Sequence, residues 1–234
     1  MPYRRLPNTD EARVRALRSA IEQEKSREIH EYTIALATWE EAKAFLPVFE
    51  NTQQHYKRTY EEQVKANKYL QETMKLARLY ISHFIQVLNL AVIRNEIKAE
   101  HKTLYGLQPD NFNIPNMIND AGVLEWGELI IKGERERMSR GGSPIYNPAI
   151  AKVIVHFDIF KETYFKQKIY QRNTARSLEK LGQLREQADT IILNIWNQVE
   201  DKFKDPSDPT SIEKCREYGL IYYYRKEEQL NVFD

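Results

Sequence analysis

An apolar seam stepping by four and three residues constrains this chain more than any other feature. From Phe49 it passes through Gln53, Tyr56, Tyr60, Gln63, Asn67, Leu70, Met74, Ala77, Ile81, Phe84, Leu88 and Ala91. Such steps keep one stripe of a helix against a neighbour, as in coiled-coil-like packing at shallow angles. A second seam runs Val153, Phe157, Phe160, Tyr164, Gln167, Gln171, Thr174, Leu178, Leu181, Ala188, Ile192, Ile195 and Val199. Both are polar in the middle, which leaves two paths open. Each seam is one straight helix, or the chain turns near 65–68 and 172–174, with Asn67 and Thr174 as caps. No Gly or Pro marks either place.

The two seams share more than their spacing. Tyr56-Lys57-Arg58-Thr59-Tyr60-Glu61-Glu62-Gln63 recurs, changed, as Phe160-Lys161-Glu162-Thr163-Tyr164-Phe165-Lys166-Gln167. Leu88-Asn89 recurs as Leu193-Asn194, and Tyr105-Gly106-Leu107 as Tyr218-Gly219-Leu220, in the same order. The spacing widens before the last pair, where the second copy carries Asp205-Pro206-Ser207-Asp208-Pro209-Thr210. Ordered repeats of this kind predict an internal duplication. The expected organisation is a first helical repeat over 1–107, a linker over 108–121, and a second repeat with a C-terminal tail over 122–234. The linker is marked by Pro109, Pro115 and several Asn.

The expected fold is all-α: an elongated antiparallel helical bundle built from a duplicated unit of about three helices, with a short extended C-terminal segment. Helix is expected to exceed about 60% of residues, because breakers are few and the 3–4 periodicity is sustained. Composition agrees. Of the 234 residues, 29% are charged and 41% hydrophobic. Helices that bury one stripe and expose a wide charged face have this balance.

Local signals predict the ends. Asn8-Thr9-Asp10-Glu11 reads as a capping box opening a helix that runs to about residue 32. Thr38-Trp39-Glu40-Glu41 reads as a second, and Pro47 should kink the helix or begin the next. Gly106 ends a helix, Gly141-Gly142 ends another, and Asn147-Pro148 starts the next, with Asn147 as N-cap and Pro148 in the first helical position. The aromatic tail from Leu220 to Arg225 is β-prone, its only weak candidate partner being the region after Leu107.

Several chemistries find little support. The lone Cys215 excludes a disulfide framework and a multi-cysteine metal site. It lies between Lys214 and Arg216, where a lowered thiol pKa is conceivable, though a buried inert Cys is the plainer reading. The five histidines show no Glu-x-x-His or His-x-x-x-His spacing, so no metal and no cofactor are expected. No nucleophile elbow and no glycine-rich nucleotide fingerprint occurs. Arg140-Gly141-Gly142-Ser143 precedes a helix and is a possible anion cradle, but a helix stop explains it equally. Tyr56-Lys57-Arg58, Tyr170-Gln171-Arg172 and Tyr222-Tyr223-Tyr224-Arg225-Lys226 resemble nucleic-acid stacking patches. A formal net charge of +1, with acids beside most bases, weighs against nucleic acid as a partner.

Tyr60, Gln63, Tyr164 and Gln167 are the ligand-binding candidates. They occupy matching places in the two copies and would line a polar cavity, or else fix helix register as buried polar residues do in coiled coils. No catalytic residue stands out. The functional reading is a non-enzymatic structural or protein-interaction bundle, with a protein partner or self-association. The alternatives are a ligand-binding or catalytic bundle with a polar site between the repeats, and a nucleic-acid binder. No signal peptide and no membrane span are expected, since runs such as 88–93 are short. A soluble, cytoplasmic protein is the corresponding expectation.

Overall fold

The computed structural model describes residues 3–28, 31–203 and 210–223. Among these described residues 77% are helical, in six helices, with little strand. The chain is all-α, as the periodicity predicts. In order come β1 (Tyr3–Arg4), α1 (Asp10–Lys25), α2 (Leu36–Ile93), a 3-10 helix (Ala99–Tyr105), α3 (Asp120–Ser139), α4 (Ile150–Phe203), α5 (Ser211–Glu217) and β2 (Tyr222–Tyr223).

Each seam is one helix. α2 runs 58 residues and α4 runs 54 without a turn. Residues 61–68 are Glu, Gln, Val, Lys, Ala and Asn, mostly good helix formers, with nothing to stop propagation. Thr174 does not cap. Its Oγ1 donates to the Thr59 carbonyl at 3.1 Å. α2 also continues through Pro47, which costs the Lys43 carbonyl its usual partner. Phe45 and Phe49 flank that gap, their rings stacked 5.8 Å apart and packed on Leu181 and Ala188. That packing holds both sides of the break in line.

Helix ends differ in detail from the sequence signals. Thr9, not Asn8, is the α1 N-cap, accepting from the Ala12 N–H at 3.2 Å. α1 stops at Lys25 with Ser26 as its cap, well short of residue 32. Thr38 opens nothing. α2 begins at Leu36, and the Thr38 hydroxyl accepts from Gln198 Nε2 at 3.0 Å. α2 ends at Ile93, where Asn95 takes a left-handed φ of 59° and the chain tightens into the 3-10 helix. Gly106, at φ 72°, stops that helix as expected. α4 begins at Ile150, two residues beyond Pro148.

The chain forms two compact units. The first comprises 1–59 and 174–234, the second 60–173. Each draws on a part of both long helices. The first packs Leu17 and Ala20 of α1 and Ala42 of α2 on Ile192, Ile195, Trp196 and Val199 of α4, and on Cys215, Tyr218 and Leu220. Its edge is the ladder β1–β2, antiparallel, with Tyr3 opposite Tyr223. The strand partner of the tail is thus the N-terminal segment, not the region after Leu107. Tyr224 and Arg225 lie outside the described residues. The second unit packs α2 from Leu70 to Val92 against Tyr105, against Val123 and Ile130 of α3, and against Val153, Phe157 and Phe160 of α4.

One expectation is overturned. By length and composition, α2 contains an 18-residue window apolar enough to cross a membrane. Counting short apolar runs hid this, because Ser82, Gln86 and Asn89 break up the run without adding the Asp, Glu, Lys or Arg that would exclude a span. The window is 44% buried inside the protein. Core packing therefore accounts for part of its apolarity and leaves the rest at the surface.

Candidate functional site

The four seam candidates all lie in the second unit. Tyr60 is 51% exposed, and Gln63 is half-buried. Tyr164 is half-buried among rings, 6.3 Å from Phe160 and 5.5 Å from Phe165, with the Lys168 ammonium 5.1 Å from its centroid. Gln167 is 2% exposed, and its Oε1 has no hydrogen-bond partner. A groove of about 480 Å³ runs nearby between α2 and α4, lined by Glu62, Lys65, Ala66, Tyr69, Ile159, Glu162, Thr163, Lys166 and Tyr170. None of the four candidates lines it. Heptad counting also placed Asn67 and Gln171 inward, and both are exposed. In the first unit the polar layer is made instead of small hydroxyls. Thr59 Oγ1 lies 2.8 Å from Ser177 Oγ, and both are buried.

A buried ionic cluster in the second unit escaped the sequence reading. Tyr105 OH donates to Glu134 Oε2 at 2.5 Å. Arg137 Nε donates to Tyr105 OH at 2.8 Å and to Glu134 Oε2 at 2.9 Å, and its Nη2 donates to Glu134 Oε1 at 2.8 Å and to the Ser143 carbonyl at 2.7 Å. All three side chains are buried. Gly133 makes room for them, since a Cβ there would sit 2.6 Å from the Tyr105 ring. Burial, reinforced by the Glu134 hydrogen bond, lifts the Tyr105 phenol well above its ordinary pKa. Burial works against the Arg137 charge, but the bonds to Glu134 and Tyr105 outweigh it and raise its pKa. In the sequence Lys132 to Arg137 is only a charged run. The usable signal was the Glu134/Arg137 pair one turn apart beside the repeated Tyr105-Gly106.

The first unit holds a related arrangement. Glu24 Oε1 accepts from the backbone N–H of Thr33 at 2.9 Å and of Ile34 at 3.0 Å. Tyr218 OH donates to Thr33 Oγ1 at 2.9 Å, and the Arg27 guanidinium lies 5.7 Å from the Tyr218 ring centroid. Burial pushes the Tyr218 phenol up to about 12.

Neither cluster is a reaction centre by its geometry. Both are buried and their strong donors are occupied. Cys215 is buried, and that burial raises its thiol pKa rather than lowering it, despite Lys214 and Arg216. Among the described residues no group of three or more His, Cys, Asp or Glu comes together as metal ligands would. Tyr222 OH, in one of the proposed stacking patches, donates to Glu200 at 2.9 Å, and Lys57, in another, is paired with Glu11 at 2.7 Å.

The surface of the second unit is different in kind. A groove of about 590 Å³ is lined by Lys75, Arg78, Leu79 and Ser82 of α2 and by Ile114, Pro115, Asn116, Met117 and Ile118. Ile118 is 76% exposed and Leu79 58%, and Leu76, Ile114 and Phe112 are exposed beside them. The segment carrying Ile114 and Ile118 is pinned from beneath. Lys102 is fully buried, and its Nζ donates to the carbonyls of Asn111 at 2.6 Å and Pro109 at 3.4 Å, 4.1 Å from the Phe112 centroid. Asn89 Nδ2 donates to the Phe112 carbonyl at 3.0 Å, and Met117 is buried. Desolvation lowers the Lys102 pKa. A buried lysine spent on loop carbonyls keeps these apolar side chains at the surface instead of letting the loop collapse over them.

Compared with protein-family models, with curated proteins and with solved structures, the chain matches none.

Proposed function

We propose that this is a non-enzymatic interaction protein, built from a duplicated helical unit, that docks an amphipathic helix of a protein partner on its second unit. The observation that carries the reading is the pinned apolar rim of Leu79, Ile114 and Ile118. Monomeric proteins seldom hold such side chains together at the surface without a use for them. The partner's chemistry follows from charge: the groove's charged lining is Lys75 and Arg78, with no carboxylate. A helix with an apolar stripe flanked by Asp or Glu is complementary to it.

The duplication is supported by features in the same order. α1, α2 and the 3-10 helix correspond to α3, α4 and α5. Thr9 and Asn119 are N-caps that each accept from the N–H three residues on. Glu24 and Arg27 sit in α1 and its C-terminal turn where Glu134 and Arg137 sit in α3. Tyr105-Gly106 and Tyr218-Gly219 end the short helices, both glycines at positive φ. An antiparallel course of the long helices is supported within each unit. In the first, residue 35 meets 198 and residue 59 meets 174. In the second, Tyr80 stacks on His156 at 4.1 Å.

The test is binding of a labelled model helix, with Leu at the seam positions and Glu flanking them, followed by fluorescence anisotropy. The variant Leu79→Glu with Ile118→Glu alters only exposed side chains. It should weaken binding at least about tenfold, as loss of two apolar anchors does. An unchanged affinity, or binding of anionic vesicles with no binding of the peptide, contradicts the reading.

A further inference from the structure

A third concave site, of about 470 Å³, lies elsewhere in the second unit, between the end of α2 and the loop that joins α3 to α4. Its floor is apolar: Ala91, Ile97 and Ile145 are all buried. Its charged side is cationic. Arg94, Lys98 and Arg137 line it, with His101 beside them. The one carboxylate in the lining, Glu96, is held by Arg94 at 2.9 Å. Arg137 is balanced by Glu134 from behind. Among the described residues Lys98 has no carboxylate within ion-pair distance, so the lining carries an uncompensated positive charge.

The loop is fastened to Arg137. The Ser143 carbonyl is drawn down onto Arg137 Nη2. Gly142 has to be glycine for that closure, since a Cβ there would lie 2.6 Å from Arg137 Nη1 and 3.0 Å from the Arg137 carbonyl. Gly141, at φ 84°, turns the chain just before it. This is the Arg140-Gly141-Gly142-Ser143 stretch that reads in sequence as a possible anion cradle. Its Gly141, Gly142 and Ser143 line the same cavity as Arg94, Lys98 and the apolar Ile97 and Ile145, while Arg140 lies outside it, paired with Glu136.

We infer that this cavity binds a small organic anion, with its anionic head at Lys98 and Arg94 and its apolar body over Ile97 and Ile145. A concave, mostly apolar site with a few convergent polar groups is the usual form of a small-molecule site. The site is distinct from the helix-docking groove and stands independently of it.

The test uses four probes followed by methyl NMR of the isoleucines and by calorimetry: phenyl phosphate, benzoate, inorganic phosphate and benzyl alcohol. Phenyl phosphate or benzoate should shift the Ile97 and Ile145 methyls, and which of the two binds tighter separates a phosphate from a carboxylate head. Inorganic phosphate and benzyl alcohol should each bind at least about tenfold weaker, because each lacks one half of the recognition. Lys98→Glu, at an exposed position, should weaken the organic anion at least about tenfold, by replacing attraction with repulsion. Four probes of equal affinity overturn the inference, as does no shift at either methyl or an affinity untouched by Lys98→Glu.

Discussion

Tyr105 shows how far one hydroxyl reaches. It donates to Glu134 and accepts from Arg137, so Tyr105→Phe leaves a buried ion pair short of a partner on each side. The expected cost is about 1–3 kcal/mol in chemical denaturation. Arg137→Ala should cost more, about 3–5 kcal/mol, because it strands Glu134 as an uncompensated buried charge. The tyrosines also set an alkaline limit. Burial pushes the Tyr218 phenol up to about 12 in the folded protein, against 10.0 ordinarily. Above pH 10 the unfolded chain loses this proton while the folded protein keeps it. The stabilisation is therefore complete below pH 10 and is lost as pH rises toward 12. Thermal melts should fall steeply over that window, and Tyr218→Phe should flatten part of the fall. Gln167 is the opposite case. With a buried Oε1 lacking a partner, Gln167→Leu should hold or raise the melting temperature, since the unmet oxygen is removed at similar volume.

At the scale of elements, the long helices were readable and their ends were not. The first seam carries no Gly or Pro between Phe49 and Ala91, and the second carries only Gly182, which a helix interior tolerates, so little opposes propagation. The ambiguity at 65–68 arose because polar seam residues look the same at a register position and before a turn. Ala66→Pro separates the two. Inside a continuous helix it should cost about 3 kcal/mol or more, and at a turn little. Caps were legible to within a residue at Asn8 and Thr9. The end of α1 was not, since Lys25 and Ser26 differ little from their neighbours as helix formers. The site was less legible than the fold. Charge patterns report composition, whereas burial of Lys102, Glu134 and Arg137 depends on which carbonyls and rings the tertiary fold brings to them. The same holds for β1, whose two residues have no strand signal until Tyr222 and Tyr223 lie beside them.

For the whole molecule, the docking face proposed on the second unit is made of apolar side chains that the fold holds at the surface. Lys102 is its support. Lys102→Met should free the segment at 108–119 and make it the first site of limited proteolysis, while helix content by circular dichroism stays unchanged. A lipid surface is the direct rival of a helix as occupant, because the apolar window in α2 leaves Leu76, Leu79, Leu90 and Ile93 exposed. Hydrogen–deuterium exchange with the acidic amphipathic peptide, and separately with anionic vesicles, decides between them. If the face docks a helix, the peptide protects residues 75–82 and 112–118 together, and vesicles protect neither. Protection by vesicles alone, or peptide protection confined to other segments, would contradict helix docking.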